Sequence, residues 1–172
     1  MKWLLVIVAV IAVAVLIVVA IGYSLPVSHT ATRAADVSVP PDKVWAIISD
    51  PVNYPAWRPD VTKVEQQPGT PLRWVEFSGG DRISYEAQAF EPPSHFTARI
   101  TDKGLPFGGN WDYHIEPAGT GSRITITENG EVYNPIFRFV SRFVMGHTAT
   151  LDKYLTALAT RTGDTYDPGR RN

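Results

Sequence analysis

The sequence predicts an α+β protein in which one transmembrane helix precedes an antiparallel sheet of about seven strands packed against a long C-terminal helix. Three patterns predict this order. Residues 3–21 are apolar throughout, residues 61–131 alternate between apolar and polar side chains, and residues 135–160 repeat apolar side chains every three or four positions. These periods are typical of a membrane span, of half-buried strands and of an amphipathic helix.

The N-terminal apolar run contains no charged residue, glycine, proline or hydroxyl group. At about 1.5 Å per residue it covers about 28 Å, which is close to the hydrocarbon thickness of a bilayer. A cleavable signal peptide is the alternative, but its apolar stretch is usually only about 7 to 15 residues long. We therefore predict a retained anchor over residues 1–23 that contacts the membrane through residues 3–21.

Basic residues near the span predict its orientation. Lys2 and the N-terminus precede the apolar run, whereas the first basic residue after it is Arg33. Because basic residues beside a span favour the cytoplasmic side, we expect a single-pass protein with a cytoplasmic N-terminus and the domain outside. The chain has no cysteine, so it neither requires nor excludes an oxidising compartment.

Charge excludes some kinds of partner. The formal net charge is −1 and lysine and arginine do not cluster, so a nucleic-acid partner is not predicted. No polybasic segment lies beside the apolar run to bind anionic lipid headgroups. The sequence does not identify protein partners.

The segment after the anchor is predicted to begin with a linker over residues 24–31, because Pro26 prevents continuation of the helix. Residues 32–39 have strand character. Two prolines then end the strand and begin a short helix over residues 42–49. A second short helical turn is predicted at residues 53–57.

Six further strands are predicted from alternation, with turns rich in glycine and proline between them. The clearest case is Trp111, Tyr113 and Ile115, which alternate with polar neighbours. Each strand then has one dry face and one wet face, as in an antiparallel sheet covered on one side. The strand at residues 72–77 is ambiguous because both of its faces carry apolar side chains. The predicted strands are residues 61–67, 72–77, 82–90, 96–101, 110–116 and 123–131.

The cover of the sheet is predicted to be a continuous helix over residues 135–160. Pro135 suits its first turn and Asn134 suits its N-cap. Residues 32–160 then form one domain, and the polar residues 161–172 form a flexible tail.

Five short motifs accompany this order of elements: Pro41-x-x-Val44-Trp45-x-x-Ile48-Ser49-Asp50, Tyr54-Pro55-x-Trp57, Glu91-Pro92-Pro93, Gly109-x-Trp111-x-Tyr113-x-Ile115-x-Pro117 and Asn134-Pro135-x-x-Arg138-Phe139. In this order the elements and motifs resemble the START-like or SRPBCC superfamily, which includes polyketide cyclases and dehydrases and lipid-transfer domains. The resemblance covers about residues 32–159 and implies a helix-grip fold with a cavity for a hydrophobic ligand, but no fixed reaction.

The side chains expected to face this cavity are mostly aromatic. An ordinary core role is the alternative for each ring, but apolar walls with a few polar groups are typical of ligand sites. The candidate ligand-binding residues are Trp57, Tyr85, Phe96, Trp111, Tyr113, Ile124, Glu128, Phe143 and His147.

Glu128 and His147 are the two candidates for acid–base chemistry. Glu128 has the same strand parity as Ile124 and should point inward, where an unpaired carboxylate is costly. It could meet a ligand, or Tyr133, Arg99 or solvent could satisfy it. For His147 the sequence favours a core histidine with its hydrogen bonds satisfied over a residue that faces a ligand.

No nucleophile elbow, metal-ligand motif or phosphate-binding glycine loop is present, so no metal and no cofactor is predicted. The leading hypothesis is membrane-tethered binding or transfer of a lipid or other hydrophobic small molecule. The alternative is a cyclase, dehydrase or hydrolase that acts on a hydrophobic substrate in the same cavity, and the sequence favours binding over catalysis. A membrane interaction module with a filled core is a third possibility.

Overall fold

The computed structural model describes residues 2–169. It confirms the α+β class and the helix-grip arrangement, with seven strands in one antiparallel sheet. The N-terminal half contains α1 (Lys2–Ser24), β1 (Ser28–Val37), α2 (Pro41–Ile48), a 3-10 turn (Pro51–Ala56), β2 (Val61–Gln67), β3 (Arg73–Ser78) and β4 (Asp81–Glu91). The C-terminal half contains β5 (His95–Ile100), β6 (Phe107–Ala118), β7 (Gly121–Val132), α3 (Pro135–Val140), a π-helical turn (Ser141–Met145) and α4 (Ala149–Thr162).

The strand order is β1-β7-β6-β5-β4-β3-β2. Each strand from β2 onward pairs with the next one along the chain, and β1 pairs with β7. The segment of α2 and the 3-10 turn carries the chain from β1 at one edge to β2 at the other. These short helices therefore cross one end of the space beneath the sheet.

The inner face of the sheet packs against α4. Three leucines on one side of α4 are fully buried: Leu151, Leu155 and Leu158. On β7, Ile124 and Ile126 are fully buried on the inner face of the sheet. Their three- and four-residue spacing on the helix and two-residue spacing on the strand are the predicted periods. Local patterning therefore determines which face of each element is buried.

The first strand starts earlier than predicted. β1 begins at Ser28 rather than at residue 32, because it keeps pairing with β7 as far as the Ser28–Glu131 pair. The predicted linker over residues 24–31 is correspondingly shortened. The longer strand brings His29 into the sheet, opposite Gly130.

The prediction of one continuous C-terminal helix is wrong. α3 passes into the π-helical turn, and Gly146 has a φ of 75°, a left-handed conformation that favours glycine. The chain leaves the helical path there and α4 begins at Ala149. Apolar spacing continues on both sides of the break, so periodicity alone did not reveal it.

The chain beyond α4 is held against the domain. The Asp164 carboxylate accepts hydrogen bonds from the backbone N–H and the hydroxyl of Ser38, and the Tyr166 hydroxyl donates to Asp152 at 2.8 Å. Residues 163–169 of the predicted tail therefore have defined contacts, and residues 170–172 lie outside the described residues.

Helix α1 carries exposed apolar side chains over most of its length. It is long and apolar enough to cross a membrane, and a signal sequence near the N-terminus would have the same character. Its last turns contact α3, where Gly22 is buried.

Candidate functional site

A cavity of about 530 Å³ lies between the inner face of the sheet and α4. Its volume is within the range of small-molecule sites, about 300–1,000 Å³. Aromatic rings from three strands and α4 line it: Trp74, Tyr85, Trp111, Tyr113 and Tyr154.

The aromatic wall is held together by ring contacts. Trp74 stacks on Tyr85 with ring centroids 5.3 Å apart, and Tyr154 contacts both Trp111 and Tyr113 at 5.6 Å. Such pairs contribute about 0.5–1.5 kcal/mol each beyond the area they bury. Because the rings pack on one another, the wall is in place before any ligand arrives.

A buried ion pair interrupts this wall. Arg58 follows the 3-10 turn, and its side chain is only 12% exposed. Its guanidinium donates to Glu76 at 3.1 Å and to Asp60 at 2.8 Å. The second oxygen of Glu76 accepts a hydrogen bond from the Trp74 indole at 2.9 Å. We call Arg58, Asp60 and Glu76 the arginine network.

The arginine network is electrically compensated. Burial by itself would lower the pKa of Arg58, but the charge of Glu76 and the hydrogen bond to Asp60 hold it above its ordinary value. The guanidinium also lies over the rings of Tyr54 and Tyr154, at 5.1 and 5.3 Å. Its positive charge is therefore compensated by two carboxylates within the protein, while its buried Nε makes no hydrogen bond within residues 2–169.

A second set of polar side chains in the cavity wall comes from β1, β7 and the segment at the start of α4. The Nε2 of His29 lies 3.4 Å from Glu128, and the Thr150 hydroxyl donates to the other Glu128 oxygen at 3.0 Å. The ring of His147 stacks on His29 with centroids 4.1 Å apart, and its Nδ1 lies 3.3 Å from the Ser141 hydroxyl. We call His29, Glu128 and His147 the inner cluster.

Two features of the fold assemble the inner cluster. The His29 ring packs against Gly130. A Cβ at position 130 would lie 2.4 Å from the imidazole, so any residue other than glycine would clash with the ring. His147 follows directly after the break at Gly146, which turns it towards His29. Glu128 thus meets Thr150 and His29, whereas Tyr133 donates instead to Glu131.

Burial shifts the pKa of each member of the inner cluster. It raises the pKa of Glu128, against the opposing effects of the Thr150 hydrogen bond and the charge of His147. Burial also lowers the pKa of His29 and the pKa of His147, and the charges of His29 and Arg142 lower the latter further. All three shifts favour the uncharged form, so this cluster is suited to neutral hydrogen bonding.

The opposite face of the sheet carries a similar set, which we call the outer cluster: His95, Asp112 and His114. Each imidazole Nε2 lies 2.8 Å from an Asp112 oxygen, and the two rings stack with centroids 4.4 Å apart. Their ligand atoms lie within 4.8 Å of one another, so these three residues could hold a metal ion. Asp112 already engages one nitrogen of each imidazole, the Nε2, in this arrangement.

The structure brings five of the predicted site residues together in the cavity wall. Tyr85, Trp111 and Tyr113 contribute rings, and Glu128 and His147 contribute polar groups. Strand parity predicted the inward direction of the first four.

The other predicted site residues lie elsewhere. Trp57 is partly buried behind the wall, with its ring edge against Tyr154, and Phe96 and Ile124 are fully buried in the core. Phe143 is 59% exposed in the π-helical turn, because the chain there no longer follows the predicted helix.

Sequence reasoning missed His29, Arg58 and Glu76. His29 lies in the segment predicted to be a linker. Glu76 has the same strand parity as the buried Trp74, but apolar side chains on both faces of that strand leave its inner face undefined in the sequence. No local pattern signals that Arg58 turns inward.

Comparison with known proteins agrees with this architecture. Residues 28–163 match the family described as polyketide cyclase / dehydrase and lipid transport. No curated protein matches the chain.

Solved structures share the fold at low sequence identity. A START superfamily protein from Mycobacterium smegmatis is 17% identical with a TM-score of 0.60, over 78% of this chain and 97% of that chain. The ZhuI aromatase/cyclase from Streptomyces sp. R1128 is 11% identical with a TM-score of 0.64, over 79% and 94%. A hypothetical protein from Helicobacter pylori is 11% identical with a TM-score of 0.66, over 78% and 88%. These likenesses show the fold alone.

Proposed function

The chain belongs to the polyketide cyclase / dehydrase and lipid transport family, and from this premise we propose that it binds a hydrophobic small molecule beside a membrane. The observation that carries the proposal is the aromatic-lined cavity of about 530 Å³. Covering apolar surface contributes about 25 cal/mol per Å², so a ligand that fills such a wall gains most of its affinity from burial.

The polar groups of the wall narrow the chemistry of the ligand. Glu76 and Asp60 already compensate Arg58, so the arginine network offers no free positive charge to an anion. In the inner cluster, burial favours the uncharged forms of Glu128 and His147. These observations support a ligand whose buried part is neutral and mostly apolar, with one or a few oxygen atoms such as a hydroxyl or a carbonyl. Lys153 also lines the cavity but is exposed, so it would meet only the solvent-facing end of a ligand.

Two buried donors in the wall lack a hydrogen-bond partner within residues 2–169, the Arg58 Nε and the Tyr154 hydroxyl. The Tyr154 hydroxyl is the one carried by a ring of the aromatic wall. A buried polar group left unpaired costs about 1–3 kcal/mol, so an acceptor atom on a ligand that reached it would recover part of that cost. This supports a ligand oxygen near Tyr154.

The proposal includes a membrane tether. Helix α1 would cross the bilayer with its N-terminus in the cytoplasm and the domain on the outer side. A neutral apolar ligand partitions into lipid, so a tether would keep the cavity where the ligand concentrates.

An enzyme is the second candidate function, and the position of Glu128 favours it. A carboxyl group with a raised pKa that faces a cavity can act as a general acid near neutral pH. On this view, Glu128 or His147 would transfer protons in a cyclase, dehydrase or hydrolase reaction.

Native mass spectrometry of the detergent-purified protein tests the proposal. We expect a co-purified apolar molecule of intact structure, and we expect Nile red, a neutral apolar dye, to compete with it. Turnover of the bound molecule would favour the enzyme, and a protein that is empty and does not bind Nile red would overturn both functions.

A pair of matched variants separates the cavity wall from the ordinary core. Trp111→Ala removes a ring that lines the cavity, and Leu155→Ala removes a fully buried side chain of α4 outside the wall. Each should lower the free energy of unfolding by about 3 kcal/mol. Only Trp111→Ala should weaken Nile red binding, and an equal loss of binding in both variants would make Trp111 an ordinary core residue.

A further inference from the structure

An apolar surface lies outside the cavity, on α3 and the π-helical turn. Four of its side chains are well exposed: Ile136 at 42%, Phe137 at 51%, Phe143 at 59% and Val144 at 72%. We call these four residues the apolar platform. Exposed apolar side chains concentrated on one short segment, here residues 136–144, are typical of contact sites for proteins or membranes.

The apolar platform is attached to the C-terminal end of α1. Gly22 packs so closely on α3 that an added Cβ would lie 2.0 Å from the Pro135 carbonyl oxygen. Arg138 of α3 donates a hydrogen bond to the Leu25 carbonyl at 2.9 Å. These two contacts fix α3 beside the last turn of α1.

This attachment determines the depth of the platform in a membrane. The distance along the helix axis from Trp3 to Tyr23 is about 30 Å at 1.5 Å per residue, the thickness of the hydrocarbon core. If α1 crosses the bilayer, Tyr23 lies at the outer interface, where tyrosine is enriched, and α3 lies at the same level.

The residues around the platform fit an interfacial position. Tyr133 is 46% exposed beside α3, and Arg142 is exposed within the π-helical turn. An apolar surface with a neighbouring basic residue is typical of segments that lie in the headgroup region.

We propose that the apolar platform inserts into the outer interface of the bilayer that α1 crosses, and that it thereby presents the cavity to the lipid. The proposal rests on the membrane tether proposed above. Ser141 of the π-helical turn, together with Gly146 and His147, lines the cavity, whereas Phe143 and Val144 face outward from the same segment. One short segment therefore has a cavity side and a membrane side, which gives an apolar ligand a short path between the two.

The absence of cysteine allows single-site labelling of the full chain. Phe143→Cys and Val144→Cys are each labelled with a polarity-sensitive fluorophore and reconstituted into phosphatidylcholine nanodiscs. Thr120→Cys in the exposed β6–β7 turn is the aqueous control, and Val13→Cys in the middle of α1 is the membrane control.

We expect blue-shifted emission at positions 143 and 144 that is quenched by spin-labelled lipid, as at position 13, and water-like unquenched emission at position 120. Water-like emission at 143 and 144 with quenching at 13 would overturn this inference and leave the tether intact. Unquenched emission at position 13 would instead overturn the tether itself.

Blue-shifted emission at 143 and 144 that lipid does not quench, and that depends on protein concentration, would show a second copy of the chain on the platform and would also overturn the inference. As a further test, Phe143→Ser combined with Val144→Ser should slow the transfer of Nile red from vesicles to the nanodisc-bound protein. It should leave Nile red affinity in detergent unchanged, and an unchanged transfer rate would contradict the proposed path.

Discussion

The inner cluster and the outer cluster are built from the same kinds of side chain on opposite faces of one sheet. Each has two stacked imidazoles and one carboxylate, with ring centroids 4.1 Å apart inside and 4.4 Å apart outside. Only the inner cluster borders the cavity.

The two carboxylates have opposite pKa shifts. Burial raises the pKa of Glu128, which accepts one close hydrogen bond, from Thr150. Burial acts in the same direction on Asp112, but hydrogen bonds from Thr97, His95 and His114 outweigh it and hold the pKa of Asp112 below its ordinary value. The balance between burial and the number of hydrogen-bond donors around each carboxylate, rather than the residue types present, therefore decides the direction of its pKa shift.

These shifts have opposite consequences for stability. The lowered pKa of Asp112 contributes stability that is present above about pH 4 and is lost as the pH falls through the folded-state pKa. The raised pKa of Glu128 contributes stability that is fully present below about pH 4 and is lost as the pH rises through the folded-state pKa.

The largest expected effect comes from a third carboxylate on the inner face, Glu76, which has the charged partner that Glu128 lacks. Glu76→Gln leaves Arg58 buried with only Asp60 to compensate it. We expect a loss of about 3 kcal/mol in the free energy of unfolding, measured by chemical denaturation in mild detergent. Adding Arg58→Met should recover much of this loss. If the double variant instead loses as much free energy of unfolding as the two single variants together, the pairing is contradicted.

A smaller loss is expected on the outer face. Asp112→Asn removes the charge that accepts three hydrogen bonds on a partly exposed surface, so the protein should lose about 1 kcal/mol at pH 7. The difference from the parent should shrink as the pH falls below about 4, where the parent carboxylate also becomes protonated. Asp36→Asn, which breaks an exposed pair with Arg123, is the matched control and should cost less. Equal losses in the two variants would show that the outer cluster adds nothing beyond a surface ion pair.

The smallest expected effect is at Glu128. Glu128→Gln retains the shape and an acceptor for Thr150 but removes the ionisation that burial disfavours. We expect a change of less than about 1 kcal/mol at pH 7 and a flatter dependence of stability on pH above about 4, measured by thermal unfolding across pH. A large loss at pH 7 would mean that the ionised carboxylate is stabilising and would contradict the contrast with Asp112. If the protein is an enzyme, this variant should bind its substrate but not convert it.

Much of the inner face could be predicted from the sequence. Alternation along β6 and β7 predicts that Trp111, Tyr113 and Glu128 point inward, because side chains on a strand change face at every residue. The same argument places His114 outside, where it is 52% exposed. The apolar run predicts α1 by composition alone.

Which polar side chains come together in the site depends on contacts between segments that are distant in the sequence. His29 and His147 stack because β1 pairs with β7 beyond its predicted start and because Gly146 breaks the helix. Arg58 and Glu76 meet because the 3-10 turn contacts β2, and the Arg58 side chain that follows the turn reaches Glu76 on the neighbouring strand β3. A period of two residues in a strand, or of three to four residues in a helix, indicates the direction in which a side chain points. It does not indicate which residue that side chain contacts.

By itself, the sequence determined the class of each element, the face that it buries and the order that reveals the family, since these follow from local spacing and composition. The tertiary structure alone decided which polar side chains share the cavity and whether the pKa of each carboxyl group is raised or lowered. The physical reason is that desolvation and hydrogen-bond count depend on every segment packed around a group, and strand register and helix breaks bring those segments together.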